Sequence, residues 1–229
     1  METITKDEIL GICGKTDHTN LNKTATAEDI VTLCEEAKRV NSASVCVAPY
    51  FVSLAKELLK GSKVKVCTVI GFPNGYQTTT TKISETIDAI KNGADELDMV
   101  LNVCQLKMKR YNEVAEEIMC LADICHKDSK VLKVIIETSL LDKKEIKEMC
   151  ELCLIGGADF IKTSTGFDKS GAKIEDVTLM KESINGRGLR IKASGGIHSV
   201  EEAQKMIEAG ADRIGASAVV RDALKKLEK

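Results

Sequence analysis

Strand-like apolar runs alternate with helical patterns along the whole chain. The runs lie near residues 12–17, 44–48, 64–70, 95–100, 131–136, 159–163, 189–193 and 212–215. Between them, segments such as "TAEDIVTLCEEAKRV" and "VEEAQKMIEAG" repeat apolar residues at helical spacing. Several runs are apolar at consecutive positions, which suits strands buried on both faces of a parallel sheet. Eight strand–helix units in 229 residues match an α/β fold of the TIM (β/α)8 barrel type, which takes ~250 residues. A doubly wound open sheet usually has fewer strands and a G-x-G-x-x-G turn after the first. Here "HTNLNK" follows the first run, without a glycine. With two prolines, no linker and no low-complexity tract, residues 1–229 read as a single domain.

A formal net charge of −2, with acids and bases dispersed, gives no basic block for nucleic acid or a membrane surface. The N-terminus lacks the pattern of a signal peptide, and no apolar run approaches the ~18 residues of a membrane span. The expected location is cytoplasmic. Nine cysteines without a disulfide-like spacing fit a reducing compartment. The single C-x-x-C, Cys150 and Cys153, lies in an amphipathic helical stretch with no second half for a zinc site.

An internal repeat is the most informative local signal. "NGADELDMV", "GGADFIKTS" and "AGADRIGAS" each start from a glycine that ends a helix and run through Ala-Asp into a strand. Five residues after Gly93, Gly157 and Gly210 come Asp98, Lys162 and Gly215. If the three turns share a geometry, these positions lie at one height on alternate strands, which supply one layer of a barrel interior. Asp98 and Lys162 then face each other near the C-terminal mouth, and Gly215 leaves space beside them. Lys192, two residues before the "SGG" loop, ends the neighbouring strand. Strands about 4.8 Å apart bring it within range of Lys162.

For a single lysine, a structural ion pair is the plain explanation, because buried lysines are normally paired. Two lysines converging on one aspartate point instead to Schiff-base chemistry. A lysine must be neutral to attack a carbonyl, and desolvation and a second ammonium both disfavour its charged form. Lys192 is therefore expected to favour the free amine at Lys162. Asp98 is the candidate for moving protons, in concert with Lys192. Lys133 and Glu137 alternate onto a common face with Ile135, which makes them either an extension of this network or a salt bridge. Asp17 is placed to assist it.

"SGGI" and "GAS" follow the seventh and eighth strands, where loops of such barrels commonly bind phosphate, and "TSTG" follows the sixth. The three histidines are too scattered for a metal triad. His126 and His198 read as solvated, and His18 as able to reach the mouth. The threonine run in "FPNGYQTTTTK" reads as a helix cap.

The motifs "GADFIKTSTGF", "KASGGI", "GADELDMVLN", "LKVIIET", "CVAPYFV" and "GFPNG" resemble those of the deoxyribose-phosphate aldolase family, in order, from about residue 13 to 220. The resemblance implies a TIM barrel that needs no metal and no cofactor. It implies reversible cleavage of 2-deoxy-D-ribose 5-phosphate to D-glyceraldehyde 3-phosphate and acetaldehyde, in deoxyribose catabolism. It implies Lys162 as the Schiff-base residue, Lys192 and Asp98 as the proton-transfer pair, and Gly166, Gly195, Gly196, Gly215 and Ser217 at the phosphate. It also implies a homo-oligomer, dimer or tetramer. Many members have a hydroxyl or glycine after the "GAS" segment, where this chain has Ala218-Val219. That leaves backbone amides and Ser217 to hold the phosphate. Phe167 stands where some members carry a lysine. The competing readings are another lysine-using phosphosugar barrel, transaldolase-like or an isomerase, and a non-catalytic barrel.

Overall fold

The "GAD" repeat acts as a set of clips at the foot of a barrel. In this computed structural model, which describes residues 4–228, Gly93, Gly157 and Gly210 have φ of 105°, 74° and 118°. The aspartate two residues on then turns back to the preceding strand. Asp95 Oδ2 accepts from the Val66 amide at 3.0 Å, Asp159 Oδ2 from Leu132 at 2.9 Å and Asp212 Oδ2 from Ile191 at 2.9 Å. Three equal clips start three strands at equal height.

The chain runs α1 (Lys6–Cys13), β1 (Thr16–Asn20), α2 (Ala27–Val40), β2 (Ser44–Val47), α3 (Val52–Leu58), β3 (Lys65–Ile70) and α4 (Thr79–Lys91). It continues through β4 (Glu96–Val100), α5 (Val103–Lys107), α6 (Tyr111–Lys127), β5 (Val131–Ile135), α7 (Lys143–Ile155) and β6 (Phe160–Lys162). It ends with α8 (Ile174–Ile184), β7 (Arg190–Ser194), α9 (Val200–Glu208), β8 (Arg213–Ala216) and α10 (Val219–Leu227). The eight strands close in sequence order, every neighbouring pair parallel. This is the (β/α)8 barrel that the strand–helix alternation predicts.

Alternate strand residues face opposite sides. Val45, Val66, Leu97, Val134, Ile161 and Ile191 join the large apolar core shared with the helices. Their neighbours in sequence point into the barrel. There Cys46, Cys67 and Val69 make a small apolar patch, and charged residues take much of the rest. Among the described residues, no helix is long and apolar enough to cross a membrane.

The first strand departs from expectation. The apolar residues near 12 are the last turn of α1, whose N-terminus is fixed by a Thr5–Glu8 capping box and which buries Ile9, Ile12 and Cys13. The strand is the polar "TDHTN", Thr16–Asn20, which an apolarity scan passes over. The threonine run does cap a helix: Thr78 accepts from the Thr81 amide at the start of α4.

Candidate active site

Asp98 on β4, Lys162 on β6 and Lys192 on β7 meet inside the barrel at the C-terminal mouth. Asp98 Oδ2 accepts from Lys162 Nζ at 2.8 Å and from Lys192 Nζ at 2.6 Å. Its other oxygen, Oδ1, accepts from Lys133 Nζ at 2.8 Å. The repeat-based inference that Asp98 and Lys162 share a layer is met. Gly215 lies beside them for a steric reason: a Cβ there would stand 2.8 Å from Lys192 Cε, so the missing side chain is the room Lys192 occupies.

A second layer of charge supports the first from below. Lys192 also donates to Asp17 Oδ2 at 2.5 Å, and Arg213 bridges Asp17 at 2.5 Å and Glu96 at 3.0 Å. Lys133 reaches Glu96 at 2.7 Å. Arg213 also stacks over the Phe160 ring, 5.4 Å from its centroid. Arg213 and Glu96 went unnoticed in the sequence, although the repeat holds the signal. Glu96, Phe160 and Arg213 each fall three residues after a repeat glycine, one inward step below Asp98, Lys162 and Gly215.

Buried ions are costly unless paired, and the pairing decides each protonation state. Burial works against the charge on Asp98, but Lys133, Lys162 and Lys192 outweigh it and hold the carboxyl well below the usual range. The same contest, won by Lys192, Lys133 and Arg213, lowers Asp17. Burial opposes the charges of Lys133 and Lys192, yet Asp98 with Cys67, Glu96 and Asp17 raises Lys133, and Asp17 with Asp98 raises Lys192. Lys192 is therefore a fixed cation. With Lys133, Lys162, Lys192 and Arg213 facing Asp17, Glu96 and Asp98, the cluster carries one positive charge in excess when all are ionised.

A pH signature follows. The depressed carboxyls contribute stability that is complete above their unfolded values near 4 and lost as pH falls through the lower folded ones. The raised lysines contribute stability that is complete below about 10.4 and lost as pH rises through their folded values. Urea midpoints are expected to be insensitive to this cluster between about pH 5 and 10. A loss of stability between pH 6 and 9 that disappears in Lys192→Met would contradict these assignments.

Above the cluster opens a cleft of about 550 Å³, lined by Lys162, Thr165, Gly166, Gly195, Gly196, Gly215 and Ser217 among others. All five glycine and serine positions expected at the phosphate lie on it. Of the cluster's four cations, only Lys162 is among the lining residues, although it is just 3% exposed. The N-terminus of α10 comes to the cleft through Ser217, and its cap residue, Ala218, makes no side-chain cap. Its first amides are free of side-chain partners, a feature that favours anions. Gly171 was not foreseen. A Cβ there would sit 2.1 Å from the Gly195 carbonyl oxygen, so the loop after β6 rests directly on the turn after β7. The Ala172 amide donates to the Ser194 and Gly195 carbonyls at 3.0 and 3.1 Å.

The histidines fall away from the chemistry, with one difference. His18 does not reach the mouth: its ring is buried and points outward to Glu36 of α2, Nε2 to Oε2 at 2.7 Å. It alternates with Asp17, whose side chain takes the inward face. His126 is partly exposed and meets Asp159 at 3.0 Å. His198 is exposed on the rim of the cleft.

Among the described residues, two trios bring ligand atoms close enough to share a cation: Cys46, Cys67 and Asp98, and Asp17, Cys67 and Glu96. Their carboxylates already accept from lysine or arginine groups, so a metal ion would have to displace those partners. Cys67 itself donates to Asp98 Oδ1 at 3.2 Å.

A parallel (β/α)8 barrel with a lysine–carboxylate cluster at its C-terminal mouth, under a glycine-lined cleft, has the architecture of a barrel enzyme acting at a carbonyl. Comparison with known proteins gives the class. Residues 13–225 match the model of the DeoC/LacD family aldolases. The chain is 52% identical over 154 residues to the deoxyribose-phosphate aldolase of Clostridioides difficile (strain 630), covering 67% of this chain and 69% of that one. It is 53% identical over 154 residues to deoxyribose-phosphate aldolase 1 of Staphylococcus aureus (strain MRSA252), covering 67% and 69%. The tetrameric deoxyribose phosphate aldolase structure from Aeropyrum pernix superposes with a TM-score of 0.88 at 29% identity, covering 99% of each chain. The chain belongs to the DeoC/LacD aldolase family. It is an enzyme, a lyase of carbon–carbon bonds.

Proposed function

We propose that this chain cleaves 2-deoxy-D-ribose 5-phosphate reversibly to D-glyceraldehyde 3-phosphate and acetaldehyde, with Lys162 as the Schiff-base nucleophile. One observation carries the reading: two lysine nitrogens converge on a single oxygen of Asp98, and one of those lysines forms part of a cleft lined by glycines. The nucleophile reacts as a free amine. Release of one proton from a cluster with one surplus charge leaves it balanced.

The amine adds to the aldehyde carbon, and loss of water gives an iminium. Its positive charge forms at the Lys162 nitrogen, 2.8 Å from Asp98 Oδ2 in the resting enzyme. The carboxylate is already in place for the charge that develops. Removal of the proton from the C3 hydroxyl breaks the C2–C3 bond and sends its electrons to the iminium. Glyceraldehyde 3-phosphate leaves, and an enamine remains. Protonation of the enamine carbon and hydrolysis then release acetaldehyde and restore the amine. Lys192, held charged, and Asp98, held ionised, serve these transfers through water as donor and acceptor. The phosphate lies against Gly166, Gly195, Gly196, Gly215 and Ser217, with the α10 amides behind it.

The catalytic unit is the whole 1–229 barrel, working without a metal or cofactor, in the cytoplasm, as a homo-oligomer. Support for the last comes from the tetramer named for the Aeropyrum relative. Release of acetaldehyde from 2-deoxyribose 5-phosphate, followed by coupled reduction, tests the reading. A transaldolase-like enzyme would transfer a carbon unit to an acceptor sugar and release no acetaldehyde, and a binding barrel would do neither.

A further inference from the structure

Among the described residues, five non-glycine residues have positive φ: Asn41, Lys109, Ser129, Glu137 and Asn185. Four are exposed, and two of these, Asn41 and Asn185, are helix caps. Glu137 is the buried one, 4% exposed, with φ 53° and ψ 70°, immediately beyond β5. Such conformations persist only where the surroundings enforce them, and they cluster at functional sites.

The ladder between β5 and β6 shows what Glu137 does to the chain. The Ile136 amide donates to the Lys162 carbonyl at 3.0 Å, and the Thr138 amide to the Thr163 carbonyl at 2.8 Å. Two steps on one strand match a single step on the other. Glu137 is thus the extra residue of a β-bulge, placed beside Thr163, one residue past the Ile135–Lys162 pair. A bulge re-aims a side chain. Here the carboxylate turns to Thr165, accepting from its amide at 3.2 Å and from its hydroxyl. The Thr165 hydroxyl in turn accepts from the Phe167 amide at 3.1 Å. One buried carboxylate therefore ties both ends of the turn around Gly166.

That turn is a thin partition. On one side Thr165, Gly166 and Phe167 wall the cleft above Lys162. On the other, Thr165 and Phe167 line a separate cavity of about 200 Å³ with Val103, Leu140 and Glu137 itself. The Phe167 ring meets Phe72 edge-on at 5.2 Å, while the hydrogen bonds to Glu137 and the Thr165 hydroxyl fix the backbone of the turn itself. We propose that Glu137 is a positioning residue for phosphate recognition, acting through Thr165 to hold the Gly166 turn against the turn after β7. The proposal rests on the phosphosugar reading of the cleft and adds a residue outside the cleft that sets its selectivity.

Glu137→Gln has no extra backbone cost, since both side chains are alike at positive φ. It removes the negative charge and leaves one accepting oxygen where the Thr165 amide and hydroxyl now face two. Steady-state kinetics on 2-deoxyribose 5-phosphate and on unphosphorylated 2-deoxyribose read the effect. In Glu137→Gln, kcat/KM for the phosphorylated sugar should fall about tenfold, mostly through KM, while the value for 2-deoxyribose stays within about twofold. Thr165→Val should lower the same ratio, and the double variant should add little to either change, because both act through one hydrogen-bonded unit. If Glu137→Gln does not fold, the ratio in Thr165→Val decides. An equal fall on both sugars, or no fall on either, would overturn the proposal while leaving the aldolase reading intact. A wild-type protein that cleaves neither sugar would overturn both.

Discussion

Lys162→Leu is expected to lower cleavage by about 10⁴-fold or more, as loss of a covalent nucleophile does elsewhere. At about 1.4 kcal/mol per factor of ten, that corresponds to roughly 5.5 kcal/mol of lost transition-state stabilisation. The fold should survive the change for a reason specific to this barrel. Asp98 keeps Lys133 on Oδ1 and Lys192 on Oδ2, so neither oxygen is orphaned. Three cations then face three carboxylates, a better balance than in the wild type. The thermal midpoint should therefore hold or rise. Borohydride reduction in the presence of acetaldehyde gives a second readout. The wild type should retain an ethyl group on Lys162, located by peptide mass mapping, and the variant should retain none. Substantial residual cleavage in Lys162→Leu, or an adduct on another lysine, would defeat the assignment.

Asp98→Asn should damage both stability and turnover. The wild-type carboxylate is fully buried and accepts from Lys133, Lys162 and Lys192. Its neutralisation leaves four cations, three of them buried, against Asp17 and Glu96. Breaking a buried ion pair from one side typically costs about 3–5 kcal/mol. The same substitution removes the charge that faces the forming iminium, which is expected to lower kcat by about 10²–10³-fold, as loss of one preorganised electrostatic partner does elsewhere. A second substitution separates the two effects. Lys133→Met in the Asp98→Asn background removes one of the unbalanced cations and should recover part of the stability without recovering turnover. Urea midpoints and kcat measured together check this. An Asp98→Asn protein as stable as the wild type would mean that the cluster is not held by charge balance.

The extent to which this site can be read from the chain follows from regularity. Where a local motif repeats, its geometry repeats, so counting from Gly93, Gly157 and Gly210 places Asp98 opposite Lys162 without any coordinates. The same count, taken two residues earlier, reaches Glu96 and Arg213. Where regularity breaks, counting misleads. Period-two alternation puts Glu137 on the face of Lys133 and Ile135, but the bulge at 137 resets the parity and sends its carboxylate to Thr165 instead. The polar first strand hid Thr16–Asn20 because its inward residue, Asp17, belongs to the charged interior. The same misreading left His18 facing the mouth, when the strand's alternation turns it out to Glu36.

The sequence alone determined the barrel, the order of its units and the meeting of Lys162 with Asp98, because apolar periodicity and a repeated helix-to-strand turn are local and additive. Tertiary structure alone decided how the interior charges are shared. The ammonium of Lys192 stays charged because Asp17, 175 positions away, and Asp98, 94 away, both reach it. Which carboxylate finds which cation depends on the stagger of eight strands around a closed ring, and no stretch of chain carries that information by itself.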